Sequence, residues 1–160
     1  MVGHQRIRPA DHKSIVRSWS AFVAALAVTS CGGTADDGDI EELSAAIVEA
    51  TVNIPSRSFA DSIGSITCDA FFELMLRDEL YRAQTLVPLE QRYLELAGAV
   101  ELNAIFEELG RVSDWDWLEE VFTRAEDCDI STRFDTAGIE PSPTPLADAL
   151  AAQMIEQLSR

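Results

Sequence analysis

A chain of 160 residues with 47% hydrophobic and 25% charged side chains has the material for one domain with a packed core. Its formal net charge is −16; four of its 12 basic and one of its 28 acidic side chains fall in residues 1–30, which leaves 8 arginines against 27 acids, a net of −19, in residues 31–160. Such a domain repels nucleic-acid phosphates and anionic headgroups, which excludes DNA or RNA binding and leaves a basic partner, or plain solubility, as the meaning of the charge.

The leading segment carries Arg6, Arg8, Lys13 and Arg17 before Trp19, and the run Ala21-Phe22-Val23-Ala24-Ala25-Leu26-Ala27-Val28 that follows is uncharged and apolar. That run is far short of the ~20 residues a spanning helix needs. A basic head, a short apolar run and small residues after it predict a signal peptide over 1–30. The junction Val28-Thr29-Ser30-Cys31 resembles the lipobox of bacterial lipoproteins, where a branched apolar residue and two small ones precede a cysteine. The resemblance implies a diacylglyceryl group on the Cys31 thiol, cleavage before Cys31, and a lipid-anchored chain on the extracytoplasmic face of the cell membrane. Two acyl chains suffice for stable anchoring, at ~0.8 kcal/mol per buried methylene. An incidental cysteine in an ordinary secretory peptide, or the uncleaved start of a cytosolic protein, are the competing readings. The cysteine count favours the lipid: of three cysteines, assigning Cys31 to lipid leaves an even pair. Arg6 and Arg8 are separated by Ile7, so export of the unfolded chain by the general route is expected. Residues 31–38, with Gly32, Gly33 and Gly38 among polar neighbours, read as a flexible tether.

From Asp39 to Arg160 the patterning is helical. Asp39 and Glu42 resemble a capping box, and Ile40, Leu43 and Ile47 share a face of a first helix ending near Val52. Asn53 to Ser65 reads as a long connection. A second helix from about Thr67 to Gln84 carries Cys68, Phe71, Phe72, Met75, Leu76 and Leu80 at steps of three and four. Pro88 is placed to open a third helix that reaches Leu109, with Gly98 inside it and Gly110 as its stop. Ser113 and Asp116 suggest the cap of a fourth helix through Trp115, Leu118, Phe122 and Ala125. Residues 136–144, with Gly138, Pro141 and Pro143, read as a linker. Thr144-Pro145 then opens a last helix striped by Leu146, Leu150, Met154 and Leu158. Strand alternation and hairpin signals are absent, so the expected fold is an all-α bundle of about five helices, the last one docked on its own bundle.

The chemistry is mostly exclusion. His4, His12 and Lys13, the only histidines and the only lysine, lie in the segment expected to be removed, which takes away the usual neutral-pH base, the commonest metal ligand and Schiff-base chemistry. Neither a metal nor an organic cofactor is expected. Cys68 and Cys128 are expected to form a disulfide outside the cytoplasm, since no Cys-x-x-Cys spacing points to a redox pair. Glu107-Glu108 and Glu119-Glu120 are adjacent on helices, so their side chains diverge and read as solvated faces. Asp127, Asp129 and Asp135 fail the calcium-loop pattern: Thr132 stands where glycine is needed and Gly138 where the bidentate acid belongs. Trp115 and Trp117 cannot both point squarely at one core; either one is at a surface as a binding hot spot, or both flank the buried stripe. The function expected is a non-enzymatic, protein-binding lipoprotein with a basic partner. The alternatives are a carrier of a small apolar ligand or lipid between helices lined by Phe71, Phe72 and Met75, and a carboxylate-dependent hydrolase of envelope material.

Overall fold

The computed structural model describes residues 37–160. The signal-peptide segment, Cys31 and all but the end of the expected tether lie outside them. The described chain is all-α, without a strand: α1 (Asp37–Val52), a 3₁₀ helix (Pro55–Ser65), α2 (Cys68–Tyr81), a π turn (Arg82–Leu86), α3 (Val87–Leu96), α4 (Ala99–Val112), α5 (Trp115–Asp127), α6 (Ile130–Ala137) and α7 (Pro145–Leu158).

The fold class matches the periodicity, while several boundaries move for local reasons. Asp37 and Gly38, expected in the tether, wind into the first turn of α1, where Asp37 and Asp39 oppose the positive end of the helix dipole. The expected connection after Val52 is instead 3₁₀ helix. Pro55 opens it, and the hydroxyls of Ser58, Ser62 and Ser65 donate to the carbonyls of Pro55, Phe59 and Ser62 at 2.7, 3.2 and 2.9 Å. Each of those bonds spans three residues, the step of a 3₁₀ turn.

Thr67 caps α2, its hydroxyl oxygen accepting from the Ala70 amide at 3.2 Å. The helix does not stop before Pro88. Proline offers no N–H to the carbonyl four residues back, at Gln84, and its ring crowds that carbonyl. The chain widens into a π turn, with the Val87 amide donating to the Arg82 carbonyl, and α2 passes through it into α3 as one rod. The rod ends at Ala97 and Gly98, both extended, so the expected third helix is two. Gly110 is no stop: α4 continues to Val112, and the Ser113 hydroxyl takes up the Leu109 carbonyl at 2.7 Å.

Asp114, rather than Ser113 or Asp116, caps α5 by accepting from the Trp117 amide at 3.1 Å. Asp129, at φ 49, turns the chain sharply between α5 and α6. Aspartate tolerates this left-handed conformation better than most residues. Residues through Ala137 thus form α6 rather than part of a loop, and Gly138 at φ 69 closes it as the Ile139 amide donates to the Phe134 carbonyl at 3.0 Å. The linker before α7 shortens to 138–144.

The core has two clusters. Ile47, Ala50, Leu86, Tyr93, Leu102, Ile105 and Leu146 join α1, α3, α4 and α7, while Ile63, Phe71, Trp117, Cys128 and Ile130 join the 3₁₀ helix to α2, α5 and α6. Leu146 and Ala149 of α7 pack on the first cluster and Leu150 is half-buried; Met154 and Leu158 of its expected stripe are exposed. Three carboxylates of the α2–α3 rod hold other segments against it. Asp78 accepts from the Ser56 amide at 2.8 Å, Glu79 from the Ser142 amide at 2.6 Å, and Glu90 from the Leu146 amide at 3.3 Å. Ser56 and Leu146 begin helices, so Asp78 and Glu90 satisfy amides without an intrahelical partner.

Candidate interaction surfaces

Cys68 and Cys128 form a disulfide with their Cα atoms 5.2 Å apart. It joins the start of α2 to the end of α5 within the second core cluster. Phe71 is fully buried there, with Phe72 and Met75 half-buried beside it, and Phe72 also lines a surface depression of about 540 Å³ with Asp69, Thr132 and Arg133. The lipobox and Cys31 lie outside the described residues.

The two tryptophans part company. Trp117 is buried, 8% exposed, with the Arg57 guanidinium 5.7 Å from its ring centre, whereas Trp115 is 70% exposed. Of the stripe expected to face the core, Leu118 and Ala125 pack partly onto the second cluster, but Phe122 is as exposed as Trp115. Trp117 and Val121, one turn apart, turn inward instead. Trp115, Leu118 and Phe122 line a shallow depression of about 420 Å³ edged by Glu119 and Glu126.

A larger trough of about 830 Å³ runs between α1 and α4. It exists because the facing positions are small. Ser44 and Ala45 on α1 and Ala104 on α4 leave room that larger side chains would fill, while Ile40, Val48 and Ile105 make its floor apolar. The buried Tyr93 closes the bottom, its hydroxyl donating to the Glu101 carbonyl at 2.8 Å. Burial and then the Glu101 carboxylate push the Tyr93 phenol up from its ordinary value.

The rims are acidic on both sides. Asp37, Glu41 and Glu49 stand on α1; Glu101, Glu107 and Glu108 stand on α4. Arg111, the one cation of the lining, is paired with Glu108. So the adjacent pair Glu107-Glu108, read as a solvated face, edges an apolar trough. The sequence carried part of the signal: acids recur along both helices, with Ser44 and Ala45 among them on α1 and Ala104 on α4. Pairing the two faces needed the tertiary structure. Among the described residues, no three acidic or cysteine side chains converge to hold a metal ion.

No protein-family model matches the chain, and neither a curated protein nor a solved structure is significantly similar to it.

Proposed function

We propose that the protein is a lipid-anchored, extracytoplasmic binding module that holds a basic protein near the membrane surface, without catalysing a reaction. The observation that carries the reading is the α1–α4 trough, an apolar floor between two carboxylate rims. Apolar surface supplies affinity, and the rims supply attraction for, and selection of, cationic partners.

Other observations agree with it. Val28-Thr29-Ser30-Cys31 resembles a lipobox, and the Cys68–Cys128 disulfide suits an oxidising compartment. No helix among the described residues is long and apolar enough to cross a membrane. Removal of residues 1–30 would leave a domain with neither imidazole nor lysine, poor equipment for acid–base or Schiff-base catalysis.

The test is co-purification of the lipid-bearing chain from membranes, with identification of the retained proteins. Wild-type chain should retain a basic protein at low ionic strength and release it at about 0.5 M salt, where charge attraction is screened. A variant with Glu41, Glu49, Glu101 and Glu108 all changed to glutamine should lose at least about tenfold in affinity, 1.4 kcal/mol. Retention indifferent to salt and to these substitutions contradicts the reading.

A further inference from the structure

We infer that the trough between α1 and α4 receives a cationic amphipathic helix of the partner, its apolar face on the floor and its lysines or arginines over the two rims. The inference rests on the reading of the domain as a binder of basic proteins and specifies the shape of what is bound. Ser44, Ala45 and Ala104 let the side-chain ridge of a third helix enter between the two, as ridges enter grooves in helix packing. The floor residues Ile40 and Val48, two turns apart on α1, and Ile105 on α4 offer apolar contacts along the trough, as a groove offers them to the apolar face of a bound helix.

Length and charge agree with a helix. The trough-lining face of α1 runs from Asp37 to Glu49, roughly 18 Å at 1.5 Å per residue, the length of about 12 residues of a partner helix. Glu41 and Glu49 stand two turns apart on one side, and Glu101 and Glu107, which form no ion pair among the described residues, stand on the other beside the Glu108–Arg111 pair, so cations on both flanks of one helix find carboxylates. A second copy of this acidic chain would bring like charges to the rims, and an anionic lipid surface would be repelled. The complement is cationic.

The experiment uses the full chain and two synthetic probes of about 14 residues built from leucine, alanine and lysine, enough for roughly four turns. In one the leucines fall at helical spacing; the other has the same composition with its leucines scattered. The ordered probe should bind, gain helical circular dichroism on binding, and outcompete the scattered probe at least tenfold. Ala104→Trp fills the trough from an exposed position and should weaken the ordered probe at least tenfold with the domain's thermal midpoint unchanged; Ala45→Trp does the same from the α1 side if Ala104→Trp disturbs the fold. If both probes bind equally and neither tryptophan matters, the helix slot is overturned while attraction of basic proteins stands. If neither probe binds at low ionic strength, the inference and the reading beneath it both fall.

Discussion

Trp115 and Trp117 carry the clearest contrast at the scale of single residues. Trp117 fills the second core cluster, so Trp117→Ala should cost about 3–5 kcal/mol of stability. Trp115 is 70% exposed, and Trp115→Ala should change stability by no more than about 0.5 kcal/mol. Urea denaturation of the two variants checks both. The sequence showed that the indoles diverge, because residues two apart on a helix face different ways. Which one turns inward depends on where α2 and the 3₁₀ helix lie, and α5 alone does not encode that. Asp114 is a second residue with a defined effect: Asp114→Ala removes the acceptor for the Trp117 amide and should cost about 1 kcal/mol. Its role was legible only to within a position, since Ser113, Asp114 and Asp116 are all capping residue types.

Among the elements, errors of local reading came where one residue type serves two purposes. Pro88 suits a helix start and also suits the first turn of helix that follows a π turn; the packing of Leu86 and Val87 into the core accompanies the second outcome. Gly98 does break its helix, whereas Gly110, with open space around it, is carried within α4. The serines of the 3₁₀ helix looked like loop composition because their hydroxyl-to-carbonyl bonds favour turns and 3₁₀ steps alike. The cysteine pairing was legible on the expectation that Cys31 carries lipid, which leaves Cys68 and Cys128 as a single pair. That pair spans 60 residues, and the chain-entropy model gives such a crosslink about 4 kcal/mol. Changing Cys68 and Cys128 together to serine should therefore lower unfolding stability by on the order of 4 kcal/mol, measured by urea denaturation against the oxidised protein.

Charge governs the molecule as a whole. Burial pushes Asp78 and Glu90 above the ordinary carboxylate value, opposed in part by the amides of Ser56 and Leu146 that bond to them. The folded state therefore binds these protons more tightly than the unfolded chain. Stability should rise as pH falls from neutral through the raised values, levelling near the ordinary pKa of about 4. A urea midpoint that climbs as the pH is lowered from neutral towards the ordinary carboxylate range is the expected outcome, and Asp78→Asn, which keeps an acceptor for the Ser56 amide, should flatten the dependence. Net charge and helical periodicity are legible in the sequence alone. The trough was not, because it belongs to two faces separated by about fifty residues of chain. The functional account depends throughout on residues 1–30 being removed and Cys31 carrying lipid, and the intact mass of the chain purified from membranes tests this most directly. The expected mass is that of residues 31–160 with a diacylglyceryl-modified cysteine at the start; the mass of the full 160-residue chain without lipid would contradict it.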